Sequence, residues 1–206
     1  MTNEATPWIL FVLVVGLSVP LHEFARALAA DICGDDVPDL QNRVRMDPWI
    51  HWDIIGSALI LVGVLLKLPV VGWGKPVETE ASRYHNPRGG AIIVWLAGLL
   101  AYLFMVAVGA ALYRYFHLSS GDPFLAALGA DFVMANLTLA VFNQLPIPPL
   151  DGAYLAVGLL APLSGARYGR FLGSIGLLGV YVLMIVGHRH LDQLSHAASG
   201  LLLGSG

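Results

Sequence analysis

Apolar residues in this chain fall into long uncharged runs, with no sustained alternation of the kind a half-buried strand shows. Trp8 to Leu21 is the first run, and it continues helically through His22-Glu23-Phe24-Ala25-Arg26 to Ala30. Gly89 to Leu112 is the cleanest. Phe132 to Leu150 follows and ends in Pro146-Ile147-Pro148-Pro149. Gly152 to Ala166 and Phe171 to Gly187 come next, and His188 to Gly206 reads as a short tail. A membrane-crossing helix needs about 20 apolar residues, so the first, second, third and fifth runs predict spanning helices. Ile54 to Leu66 stops after 13 residues, before Lys67 and Pro69. That length suits a re-entrant or interfacial piece.

Composition supports this pattern. Of the 206 residues, 57% are hydrophobic and 12% charged, against about 25% charged in an ordinary soluble domain. So few charges cannot cover a water-facing surface, which excludes a soluble enzyme and a disordered chain. A nucleic-acid binder would need a basic stripe, and the net charge is −3. One cysteine, Cys33, excludes a disulfide framework. The expected fold class is all-α: a polytopic transmembrane bundle with a partly re-entrant segment around 54–66. It is read as one domain over 1–206, with its core in 8–160, a C-terminal helix at about 171–187 and a short tail. Residues 1–7 carry no basic residue and include Glu4, so the first run reads as a retained helix and not as a cleaved signal peptide. The trans-bilayer partner is lipid, and no nucleic-acid partner is expected.

Topology follows from counting crossings. If Ile54 to Leu66 does not span, the Phe132 to Leu150 run delivers Asp151 to the side toward which His22 and Glu23 point. If it spans, Asp151 emerges opposite them. The segments on the His22 side hold Arg43, Arg45, Lys67, Lys75, Arg83 and Arg88, whereas the other side holds only Arg114 before Asp151. Short cytoplasmic loops are enriched in Lys and Arg. The N-terminus is therefore expected outside and the His22 side in the cytoplasm. Trp8, Trp49, Trp52, Trp73 and Trp95 mostly fall near run ends, where interfacial anchoring explains them.

His22, Glu23 and Arg26 interrupt an otherwise apolar helix. A charge at such a position costs roughly 2.5–3.5 kcal/mol on insertion scales, so these residues usually face partners and mark function. Glu23 and Arg26 could form a self-satisfied i,i+3 pair, but that leaves His22 and Asp151 unexplained. His-Glu-x-x-His on a helix puts two imidazoles on one face to bind zinc, with the Glu activating zinc-bound water. Here the sequence is His22-Glu23-Phe24-Ala25-Arg26. A second feature is Asn143-Gln144-Leu145-Pro146-Ile147-Pro148-Pro149-Leu150-Asp151-Gly152. Its prolines break the helix, and irregular backbone at membrane depth is tolerated where it is buried or lines a wet cavity. Asp151 there could be a zinc ligand or the N-cap of the next helix.

Taken together, these features resemble the site-2 protease family of intramembrane zinc metallopeptidases. Those proteins pair a His-Glu-x-x-His helix with a later Asn-x-x-Pro-x-x-x-x-Asp-Gly-type segment. Further similarity lies in Ala27-Leu28-Ala29-Ala30, His51-x-Asp53-x-x-Gly56, Gly72-Trp73-Gly74-Lys75-Pro76-Val77 and Asn86-Pro87-Arg88-x-Gly90, which resemble the compact bacterial branch. The resemblance covers roughly residues 8 to 160. It implies zinc as cofactor, His22 and Asp151 as ligands, Glu23 as general base and Asn143 holding the substrate strand or the developing oxyanion. It also implies a transmembrane-helix substrate and a place in a bacterial inner membrane.

Two departures fall at the implied site. The family's second histidine is Arg26, which has no lone pair to offer a metal. The family's Ala-Gly-Pro-x-x-Asn reads Ala97-Gly98-Leu99-Leu100-Ala101-Tyr102. His51 is a candidate replacement ligand, although the resembling branch carries it alongside the full zinc set. His188, His190 and His196 lie in the tail. Three functions are therefore weighed. One is a metalloprotease impaired or inactive because of Arg26. Another is a pseudoprotease that binds transmembrane helices as a regulator. The third is a small transporter or channel lined by Glu23, Arg26, Asp131 and Asp151.

Overall fold

A computed structural model describes residues 4–160 and the isolated positions 193, 197, 200 and 203. The expected Phe171 to Gly187 helix, most of Gly152 to Ala166 beyond Leu160, and the tail histidines lie outside the described residues. All regular elements among the described residues are helical, and three are long and apolar enough to cross a membrane: Thr6–Ile32, Pro87–Ser120 and Pro123–Phe142.

Helix α1, Thr6–Ile32, runs 27 residues, about 40 Å at 1.5 Å per residue. Pro20 stands inside it. A proline there removes a hydrogen bond to residue 16 and pushes its ring at that carbonyl. The helix meets this with a π-helical segment, Val14–Ser18, that ends two residues before the proline. The last three turns carry His22, Glu23 and Arg26, all buried.

Helix α2, Ile54–Leu66, starts at an Asp53 cap whose carboxylate accepts from the Gly56 amide at 2.7 Å. It ends at Lys67, which turns left-handed with φ 54°. At 13 residues it spans about 20 Å, short of a bilayer core of about 30 Å. The chain then runs back along it. Gly63 faces Pro69 and Val70, Gly72 packs on Ile60, and Gly56 lies against Trp73. This antiparallel return brings both ends of the unit to the same end. A side chain at Gly56 would stand 2.1 Å from the Trp73 carbonyl oxygen, so the close approach requires glycine.

Helix α3, Pro87–Ser120, begins at Asn86, whose side chain accepts from the Gly89 amide at 3.0 Å. It is the central element, packed against α1 and against α4, Pro123–Phe142. Gly109 of α3 sits on Phe132 and Val133, and Gly129 of α4 on Tyr113. Small residues at these crossings let the backbones approach, which is how helices gain packing where lipid offers no hydrophobic drive. Leu10, Val14, Tyr102, Met105, Phe132 and Leu139 form the core between the three helices.

The structure corrects the expected Phe132 to Leu150 run. Helix α4 begins nine residues earlier, at Pro123 after an Asp122 cap, and it stops at Phe142. Asp131 interrupts the uncharged run in the sequence, but one exposed carboxylate does not end a helix. The proline-rich stretch after Phe142 is a compact turn, closed by the Gly152 amide donating to the Asn143 carbonyl at 2.9 Å. Asp151 then opens helix α5, Asp151–Leu160. The first and central helices likewise extend past the expected limits, because their caps lie outside the apolar runs.

The return of the 69–74 segment along α2 predicts that residues before and after this unit share one side. Single cysteines at Asp47 and Arg83, in a Cys33→Ser background, should both label with an impermeant thiol reagent from the same side of oriented vesicles. Labelling from opposite sides would contradict this arrangement.

Candidate functional site

Four ionisable side chains meet where α1, α3 and α5 converge. Helical spacing puts His22 and Arg26 one turn apart, with Glu23 beside them. The turn over 143–150 brings Asp151 to the same place. His22, Glu23, Arg26 and Asp151 are each only 1–2% exposed. The His22 Nε2–H donates to Asp151 Oδ2 at 2.6 Å, and Nδ1 lies 3.4 Å from Glu23 Oε1. Arg26 Nη1 stands 3.2 Å from Asp151 Oδ1 and 3.5 Å from Glu23 Oε2. One guanidinium nitrogen thus contacts both carboxylates, with the imidazole between the same two groups.

The surroundings hold this cluster tightly. Tyr102 of α3 stacks on the His22 ring, with centroids 4.4 Å apart and planes at 22°. The Arg26 guanidinium carbon lies 4.8 Å from the centre of the Tyr154 ring, a cation–π contact. Gly98 lets the α3 backbone close over the group: a side chain there would stand 2.8 Å from His22 Nε2, 2.9 Å from Asp151 Oδ2 and 3.0 Å from Arg26 Cδ. Gly74, in the return segment, allows a comparable approach to Glu23 and Val19.

The structure brings together His22, Glu23, Arg26 and Asp151. Asn143 is buried nearby in the chain, but its Nδ2 donates to the Leu139 carbonyl at 2.9 Å, closing the end of its own helix. His51 lies on the Glu23 side, where its carbonyl and the Glu23 side chain both pack against Gly74. Its Nε2–H donates to the Arg45 carbonyl at 2.8 Å, its own carbonyl accepts from the Lys75 amide, and burial pushes its imidazole below the ordinary value near 6.5. Arg43 donates to the Lys75 carbonyl, so both backbone groups of Lys75 are tied to the 43–51 loop. Asp131 is exposed on α4. One contact residue, Tyr154, escapes the motif patterns and is signalled only by lying one turn after Asp151, whereas Gly98 falls on the Gly of the Ala97-Gly98 motif without having been singled out as a site residue.

The donor set does not fit a zinc ion. Among the described residues, no group of three or more His, Cys, Asp or Glu side chains is placed to hold a metal. The position one turn after His22 presents a guanidinium, which has donors only. Two ligands of a tetrahedral zinc at about 2.0–2.1 Å stand roughly 3.3 Å apart. His22 and Asp151, at 2.6 Å, are instead joined by a direct hydrogen bond.

Close packing over the cluster makes Gly98 the sensitive position. Gly98→Val should lower stability by about 1–3 kcal/mol through overpacking, read as a reduced unfolding midpoint in detergent. Gly16→Ala, where nothing lies within 4 Å, should leave the midpoint unchanged or raise it. Equal effects at the two positions would refute the described contact.

Comparison with known proteins adds a relative to this geometry. A Bacillus subtilis (strain 168) protein named "Putative zinc metalloprotease YwhC" is 33% identical over 163 residues, covering 76% of this chain and 70% of that protein. No family model matches the chain, and no solved structure matches it. With a third of the aligned positions identical across most of both proteins, this chain belongs to that zinc metalloprotease family.

Proposed function

We propose that the chain is a site-2-protease-type intramembrane scaffold that binds transmembrane segments and does not hydrolyse them. The observation that carries this reading is the Arg26 guanidinium set against both Asp151 and Glu23. In the family pattern His22 and Asp151 would be zinc ligands, Glu23 the general base and Asn143 a substrate-holding group. In this chain the first three of these positions surround a fixed cation. A guanidinium neutralises carboxylates as a metal would, but it has no open position for water and lowers no water pKa. Two carboxylates facing one histidine in a low-dielectric site repel each other unless a cation is supplied. Arg26 supplies it.

Support for an intramembrane location comes from α1, an apolar helix of spanning length that carries three of the four residues. The excess of Lys and Arg in the loops on the His22 side favours the N-terminus outside and the site toward the cytoplasm, and the family resemblance favours a bacterial inner membrane. Departures at Leu99 and Tyr102 also favour binding over hydrolysis, because Tyr102 covers one face of His22 where the family places Asn.

The test is a reconstituted cleavage and cross-linking assay. Purified protein in nanodiscs receives a single-span reporter peptide carrying a photoreactive residue. The expected result is cross-linking to the protein with no cleavage, with or without added zinc. Cleavage by the unmodified protein that a chelator abolishes would overturn this reading in favour of an active metalloprotease.

A further inference from the structure

The charge cluster is sealed in part by a segment built unlike the rest of the molecule. Helices α1, α3 and α5 surround His22, Glu23, Arg26 and Asp151. Residues 76–85 lie over the Arg26 end of the group. Thr79 and Tyr84 share the walls of a small gap, about 20 Å³, with Arg26, Val94, Asp151 and Tyr154. Residues 76–80 form no helix or strand, and one short turn, Ala81–Arg83, follows them. The segment has two faces. Val77 and Tyr84 are buried and Thr79 is half-buried, whereas Glu78, Glu80, Ser82, Arg83 and His85 are exposed.

Both ends of this segment are fixed. At one end the Lys75 amide donates to the His51 carbonyl, and the Lys75 carbonyl accepts from Arg43. At the other, Asn86 caps α3. Between these points the ties run to the end of α1. Asp35 is fully buried and accepts from the Glu80 amide at 2.6 Å and the Val37 amide at 3.2 Å. The His85 amide donates to the Cys33 carbonyl at 2.9 Å. On the outer face, Arg83 bridges Asp36 at 2.5 Å and Glu80 at 2.8 Å. Inside, Tyr84 packs on Gly90 of α3, where there is no room for a side chain.

These ties differ in strength from those of the helices around them. Opening the cluster by moving α1, α3 or α5 would break the packed core between them. The 76–85 segment is held by a few hydrogen bonds outside any helix, and such regions open locally at a lower free energy than global unfolding. Its exposed ion pairs contribute little each and are weakened by salt. The buried Asp35 carboxylate, accepting two amides, is the stronger tie.

We propose that residues 76–85 are a strap that lifts between fixed points at Lys75 and Asn86, and that Asp35 and the Arg83 bridge latch it shut over the charge cluster. Shut, the strap separates Arg26 and Asp151 from the aqueous phase. Lifted, it admits water and solutes to them. The proposal does not depend on whether the chain binds or cleaves transmembrane segments.

The chain carries its own reporter. Cys33 is 8% exposed and packs in one cluster with Tyr84, Ala91 and Val94, so lifting the strap uncovers its thiol. Labelling rates with N-ethylmaleimide, a neutral reagent, are measured on the full chain in nanodiscs at three places. The first is Cys33 itself. The second is Val94→Cys in a Cys33→Ser background, on the wall of the gap. The third is Val133→Cys in the same background, a buried α4 position away from the strap. Arg83→Gln, a change at the surface, should raise the rates at Cys33 and at position 94 about three- to five-fold. Asp35→Asn, which gives up the charge on the buried acceptor, should raise both about ten-fold. The rate at position 133 should stay unchanged. Rates that neither variant alters would overturn the proposal. So would a rise at Cys33 without one at position 94, which would mean that the segment frays without opening the site. An equal rise at position 133 would also overturn it, because the whole bundle would then be loosening.

Discussion

A guanidinium buried between two carboxylates is the constraint around which this protein is arranged. Arg26, Glu23 and Asp151 are all nearly inaccessible to water, and removing one partner of such a group leaves an uncompensated charge, a loss of about 3–5 kcal/mol. Satisfying Arg26 requires Asp151 to arrive from 125 residues away in sequence. The break after Phe142, the closed turn over 143–150 and the start of α5 at Asp151 together accomplish that. Gly98 then admits the α3 backbone, and Gly74 admits the return segment on the Glu23 side. The cluster therefore sets where three helices and one loop can be.

The same constraint underlies the proposal that this chain binds without hydrolysing. A third of the aligned positions are identical to those of a relative named a putative zinc metalloprotease, and His22, Glu23 and Asp151 meet in this chain's structure. The nitrogen that would face a metal one turn after His22 is a hydrogen-bond donor instead. A fold that needs a cation at this point can obtain it from a metal or from a side chain. A side chain gives permanent charge balance and removes the open coordination position on which hydrolysis depends.

Much of this was legible in the sequence, for identifiable reasons. The spanning helices follow from uncharged length, and the short Ile54–Leu66 helix from its 13 residues. The meeting of His22, Glu23 and Asp151 follows from the cost of each in lipid together with the family resemblance. The limits of α4 did not follow, because Asp131 divides the apolar run although it sits on an exposed helix face. The return of residues 69–74 along α2 depends on glycine contacts that a linear pattern does not register. The stacking of Tyr102 on His22 and the seat of Arg26 on Tyr154 depend on how α3 and α5 are rotated against α1, which no local spacing encodes.

The central claim is that Arg26 holds the place of a metal ion, and metal content tests it most directly. Purified protein should be assayed for bound zinc by elemental analysis after equilibration with zinc and removal of excess, beside an Arg26→His variant. The account predicts well under one zinc per chain in the unmodified protein, with an unfolding midpoint that a chelator does not change. Arg26→His should gain close to one zinc and a chelator-sensitive midpoint. One tightly held zinc per unmodified chain, lost when His22 or Asp151 is replaced, would contradict it.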